Sequence, residues 1–179
     1  MKEHPILFSG EMVWAILEGR KTQTRRVIKP QPNKLKTEQG LLFAQYPNDE
    51  YWYGLKCNYG YAGDHLWVRE SWRPLDDDIS VSKLGPGDTI YYRADYVGEA
   101  LDGKWRPSIH MPRWASRITL EIVNVRVERV QDISEEDAEA EGTKSIDSFH
   151  ILWDIINHAR DYGWETNPWV WKICFKRLP

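Results

Sequence analysis

The chain has 179 residues, with 24 basic and 27 acidic side chains and a formal charge of -3, which excludes a histone-like polycation. Hydrophobic content of 41% with 28% charged residues, a mean hydropathy of -0.62 and no apolar run near the length of a bilayer exclude a membrane span and predict one soluble domain. The start, MKEHPILFSGEMV, lacks the basic-then-apolar layout of a secretory signal. Cys57 and Cys174 are too few for a disulfide framework or a cysteine zinc site, so a reducing cytoplasm is the expected compartment.

An apolar run at Pro5 to Phe8 predicts a strand. Ser9 then caps a short helix whose Met12, Val13, Ile16 and Leu17 recur at helical spacing, and Gly19 is placed to end it. Residues 30 to 62 are rich in Pro, Asn, Gly, Lys and Tyr without a sustained period, which predicts an insertion or long loop. Strands follow at His65 to Arg69 and Thr89 to Arg93, separated by Asp76, Asp77, Asp78 and the turn Gly85-Pro86-Gly87-Asp88. In Arg117 to Val130, Ile118, Leu120 and Ile122 alternate with polar residues before the phase slips to Val123, Val125 and Val127. Such a slip predicts a bulge that bends a long strand, as closure of a small barrel requires. Ser134 with Asp137 resembles a capping box opening an acidic helix, Glu135 to Glu141. A second helix carries Phe149, Leu152, Trp153 and Ile156, with Gly163 beyond it, and a last strand from Trp169 to Phe175 sets Trp169, Trp171, Ile173 and Phe175 on one face. The pattern predicts an α+β fold, a small, mostly antiparallel barrel with flanking helices.

Chemistry concentrates in Gly19 to Lys29, where Arg20, Lys21, Arg25, Arg26 and Lys29 stand without an acid in a chain that is acidic overall. That asymmetry points to an anion site; on charge alone, a solvated helix end explains it as well. Trp67, Trp72, Trp105 and Trp114 lie beside Arg69, Arg73, Arg106 and Arg113, a pairing suited to stacking on unpaired bases. Trp153, Trp169 and Trp171 read as core, whereas Trp67 and Trp72 are open to either role. His65, His110, His150 and His158 lack the pairing with acids that a metal site shows, so neither a metal nor a cofactor is expected.

The segment Gly19-x-Lys21-x-x-Thr24-x-Arg26, preceded by Ile16-Leu17-Glu18, resembles the signature of the ASCH domain family, whose fold is similar to the PUA barrel of RNA-binding proteins. Thr24 stands where the usual family pattern has Glu, and the family's small acetylcytidine amidohydrolases share this Lys-x-x-Thr form. Gly63-Asp64-His65-Leu66 resembles the family's turn into a barrel strand. Asp132 to Glu141 resembles the acidic helix in which those hydrolases keep a catalytic Glu, which falls on Glu141 when aligned on Ala138. The terminal strand Trp169 to Leu178 is also similar to theirs. The Leu-Trp-Val-Arg-Glu-Ser-Trp stretch at Leu66 to Trp72 resembles longer relatives that are often encoded by bacteriophages and prophages, which implies the cytoplasm of a bacterial host as the compartment if this chain is phage-encoded. Residues 30 to 62 and 73 to 113 have no counterpart in the minimal hydrolases, so the resemblance implies one ASCH/PUA-like domain over 1 to 179 with insertions there.

It further implies a hydrolase that removes an acyl group from the exocyclic amine of a cytidine-like nucleoside or base, with Lys21, Thr24 and Glu141 as catalytic residues. Arg20, Arg25, Arg26, Trp67, Arg69 and Trp72 would then hold the substrate or a nucleic acid. A threonine hydroxyl needs a base to become a nucleophile, and Lys21 can serve if burial or neighbouring cations depress its pKa from about 10.4. Glu141 could give a proton to the leaving amine and then activate water. Without the resemblance, Thr24 reads as a surface strand residue and Glu141 as a solvated helix end. Two alternatives stand beside the hydrolase: a PUA-like module that binds RNA or a modified base without reacting, and a ribonuclease in which Lys21 stabilises phosphate charge. The expected partner is a nucleoside or RNA, with no membrane and no protein partner.

Overall fold

In the computed structural model, residues 1–76, 78–96 and 103–179 are described; Asp77 of the expected aspartate turn and residues 97–102 of the expected second insertion lie outside them. The chain runs β1 (Glu3–Leu7), α1 (Gly10–Leu17), β2 (Gln23–Val27), β3 (Lys34–Glu38), β4 (Leu41–Gln45), β5 (Tyr53–Gly54), β6 (His65–Arg69), β7 (Trp72–Pro74), β8 (Ile90–Tyr92), β9 (Thr119–Arg129), α2 (Glu135–Ala140), α3 (Ile146–Asn157) and β10 (Trp169–Arg177). Ser9 starts α1 as expected, its Oγ accepting from the Met12 amide. The fold is mixed α and β with mostly antiparallel sheets.

The main sheet has five strands in the order β1-β6-β9-β10-β2. β1 pairs with β6 in parallel, and the remaining ladders are antiparallel. β1 and β2 are the two edges and no ladder joins them, so the expected closed barrel is not found among the described residues. One side-chain bond spans the gap instead: the Arg26 guanidinium on β2 donates to the Leu7 carbonyl on β1 at 2.5 Å. The phase slip in β9 is a bulge, since Cys174 pairs with Asn124 and Phe175 with Ile122. Val123 is the extra residue and is exposed, which restores the inward phase for Val125 and Val127.

Residues 30 to 62 correct the expectation of a loop, because β3, β4 and β5 form an antiparallel sheet of their own. Their mostly exposed side chains erase the alternation that would betray strands, although Ala44 is buried and Leu42 packs on the main core. β7 and β8 form a two-stranded sheet over Trp72, Met111 and Ala115.

The principal core lies between α1 and the main sheet, joining Ile6, Val13, Ile16, Leu66, Ile122 and Ile173. A second cluster, Val130, Ile133, Ala138, Phe149, Trp153 and Val170, packs α2 and α3 on the other side of β10. Val170 to Ile173 are therefore buried on both faces, where a strand with one covered face was expected. No helix among the described residues is long and apolar enough to cross a membrane.

Candidate active site

The end of α1 sets the site. Gly19 takes a left-handed φ of +77°, which a side chain would oppose, and the amides of Arg20 and Lys21 both fold back to the Ala15 carbonyl at 2.9 Å. The Thr22 amide then donates to Ala140 at 2.8 Å, and Gln23 Nε2 donates to the Asp137 carbonyl at 2.8 Å. These bonds stitch the Gly19 to Gln23 turn against α2. Gly142, with φ +88°, completes the fit: a Cβ there would lie 3.0 Å from Ala15 Cβ and 3.3 Å from Lys21 Cβ.

Glu141 follows α2 directly and is 5% exposed. Its Oε2 accepts from Lys21 Nζ at 2.8 Å, its backbone carbonyl accepts from the same ammonium at 2.7 Å, and its Oε1 accepts from Arg25 Nη1 at 3.2 Å. Arg25 also donates to Asp137 Oδ2 at 2.6 Å and Glu128 Oε1 at 2.8 Å. The β2–β10 register sets Arg25 opposite Lys172, a like-charge pair that would repel. Asp137 resolves it by accepting from both, with Lys172 Nζ at 2.6 Å from Oδ1. Burial opposes ionisation of Asp137, but the hydrogen bonds from Lys172 and Arg25 outweigh it and hold its carboxyl down to about 2. This is why Ser134 caps α2 without a reciprocal bond from Asp137: the carboxylate is engaged elsewhere.

Burial lowers the pKa of Lys21 against the opposing charge of Glu141, and the positive charges of Arg26 and Arg25 act with burial. Burial likewise lowers Arg26, and its Nε is buried without a partner among the described residues. Arg25 is raised: burial disfavours its charge, but Glu141, Glu128 and Asp137 outweigh that.

A cleft of about 510 Å³ runs along the open edge of β2, within the usual range of about 300–1,000 Å³ for small-molecule sites. Thr24, Arg25, Arg26 and Glu141 share its wall, Met12 of α1 borders it, and α3 contributes Phe149, Leu152, Trp153 and Ile156. Leu55, Lys56 and Tyr59 close it from the segment expected to be an insertion. Thr24 is 3% exposed and has no side-chain hydrogen bond among the described residues; it is not the surface strand residue that its type suggests. Lys21 is fully buried behind Glu141 and does not border the cleft.

Of the expected site residues, Lys21, Thr24, Arg25, Arg26 and Glu141 are brought together. Arg25, however, is spent on three carboxylates rather than left for a ligand. Arg20 is exposed, paired with Glu18 at 2.5 Å and outside the cleft. Trp67 and Arg69 stack on each other at 4.9 Å, away from the cleft, and Arg69 Nε donates to the Met111 carbonyl at 3.0 Å. Trp72 is 0% exposed beneath Met111 and Ala115, which corrects its reading as a base-stacking surface. His150, expected to lack an acid partner, contacts Asp154 at 3.2 Å one helical turn on, and its ring stacks on Trp164. The α3 and Lys56–Tyr59 walls were not anticipated. Trp153 carried a signal, since a core tryptophan on an amphipathic helix can also floor a cleft.

No protein-family model, curated protein or solved structure matches the chain. The resemblance of its motifs therefore rests on the residues themselves.

Proposed function

We propose that this cleft removes an acyl group from the exocyclic amine of a cytidine-like nucleoside or base. The observation that carries the reading is that Thr24, with no hydrogen-bond partner for its hydroxyl among the described residues, shares a cleft wall with Glu141, itself held by Lys21 at 2.8 Å. Thr24 Oγ1 attacks the acyl carbon, and its proton passes to the Lys21–Glu141 pair, through Glu141 because Lys21 does not reach the cleft. The depressed pKa of Lys21 suits the pair to proton exchange nearer neutrality than a free lysine would allow. The pair then protonates the exocyclic nitrogen as the C–N bond breaks and the amine leaves. Water attacks the threonine ester, its proton returning through the same pair, and the free acid departs with Thr24 restored. Arg26, on the same wall and with its Nε unpartnered among the described residues, supplies positive charge for the oxyanion.

Glu141 and Thr24 are catalytic residues in this reading, and Lys21 is a positioning residue acting through Glu141. Incubation with acetylated cytidine, followed by mass for loss of the acyl group, tests it: turnover in the wild type and none in Thr24→Val is the expected result. A second reading, a module that binds a modified base without reacting, is favoured by one observation: both Glu141 oxygens are already taken by Lys21 and Arg25. Binding of acetylated cytidine without deacylation would decide for it. The ribonuclease alternative needed Lys21 beside a phosphate, a contact its burial behind Glu141 disfavours.

A further inference from the structure

Charge is unevenly distributed around the cleft. At the Thr24 end, Lys21, Arg25 and Lys172 face the carboxylates Glu128, Asp137 and Glu141, and one further cation, Arg26, has a carbonyl partner but no carboxylate. Away from it, Lys29, Lys56 and Arg160 line the same cleft, are exposed, and have no carboxylate partner among the described residues. Glu141 is the only acid on the cleft wall among the described residues, and it is already neutralised. Together with Arg26, these three exposed cations form a local positive field on one concavity, in a chain of net charge -3, that focuses an anion. They come to the cleft from three segments: just after β2, after β5 and after α3. Lys29 is further fixed in place, its Nζ 4.8 Å over the Tyr162 ring. Lys29 lies five residues beyond Thr24, just past the end of β2 at Val27, a separation of up to about 16 Å. That is room for a base, its sugar and a phosphate once the long cationic side chains reach back.

We infer that the ligand is a phosphorylated nucleotide rather than a free nucleoside, with Lys29, Lys56 and Arg160 holding its phosphate. The identity of the reacting part rests on the deacylase reading; the phosphate site does not. The test compares acetylated cytidine with its 5′-monophosphate, in wild type and in the triple variant Lys29→Ala, Lys56→Ala, Arg160→Ala, all three positions being exposed. A KM at least about tenfold lower for the monophosphate is expected, with the ratio falling toward one in the triple variant and in high salt. Equal KM values, or a ratio that survives the triple variant, would overturn the inference. Should no acyl group be lost, the same comparison is made by titrating cytidine and cytidine monophosphate against tryptophan fluorescence. Tighter binding of the monophosphate, abolished by the triple variant, keeps the phosphate site while the deacylase reading fails; equal binding rejects the site. A short single strand carrying one acetylated cytidine separates a strand phosphate from a free nucleotide. Preference for the strand or for the monophosphate over the nucleoside supports the site, and preference for neither rejects it.

Discussion

Each oxygen of Glu141 takes one cation, and this divides what its neighbours can do. Thr24 has no side-chain hydrogen bond to lose among the described residues, so Thr24→Val should abolish deacylation while changing the stability read from urea unfolding by less than about 0.5 kcal/mol. Glu141→Gln keeps the shape but removes the charge facing Lys21 and Arg25. It should lower kcat by about 10²–10⁴-fold and, unlike Thr24→Val, destabilise the fold by about 1–3 kcal/mol. Lys21→Arg should fail as well, because guanidinium does not give up its proton at working pH and its fork does not fit where one ammonium serves two oxygens of Glu141. Full turnover in Thr24→Val would exclude the threonine ester. That these three residues lie close together was legible from the motif at residues 19 to 26 and from the acidic helix aligned on Ala138. That Lys21 lies behind Glu141 was not legible, since nothing local to residues 19 to 26 says which side of the turn faces solvent.

At the scale of elements, α2 has six residues, too few to hold its place by helix formation alone. Ala138 docks it on the second core, and Asp137 ties it to β2 through Arg25 and to β10 through Lys172. The Asp137 carboxyl is depressed from 3.8 to about 2. Its contribution is therefore complete above the unfolded value near 3.8 and is lost as pH falls through the folded value. By linkage it is on the order of 2 kcal/mol. Acid denaturation should show this between about pH 4 and pH 2, and Asp137→Asn should flatten that part of the stability curve; an unchanged curve would mean the ion pairs do not hold α2. Gly142→Ala tests the same contact from the other side: a positive φ and a Cβ 3.0 Å from that of Ala15 predict a loss of at least about 1 kcal/mol in thermal unfolding. Elements with apolar periodicity, namely α1, β6, β8, β9, α3 and β10, could be read from sequence. β2 could not, because its buried residues Gln23, Thr24 and Arg25 are polar, with Gln23 held by a hydrogen bond and Arg25 by ion pairs rather than by apolar packing. β3 to β5 could not either, because they are mostly exposed.

Across the whole molecule, the bulge at Val123 was foreseen but the closure inferred from it was not found. A bulge bends one strand, whereas closure needs a ladder between β1 and β2, and a single Arg26 to Leu7 bond stands there. The open edge of β2 is what lets a cleft run along it, between α3 and the Leu55 to Tyr59 segment. The surplus of positive charge on that cleft is confined to a few side chains, so affinity for single-stranded nucleic acid should depend only modestly on salt. With one phosphate held by Lys29, Lys56 and Arg160 together and at most two flanking ones within their reach, at about -0.7 per phosphate, log K should fall with log salt at a slope between about -0.7 and -2. The triple alanine variant should flatten the slope to about one phosphate contact or less, because Arg25 is committed to carboxylates, Lys21 is sealed behind Glu141, and Arg26 alone is left on the cleft wall. A wild-type slope steeper than about -4 would require a second basic surface engaging the strand beyond the cleft. Binding with a slope near zero in the wild type would place the contacts on bases alone, along the aromatic wall of Tyr59, Phe149 and Trp153.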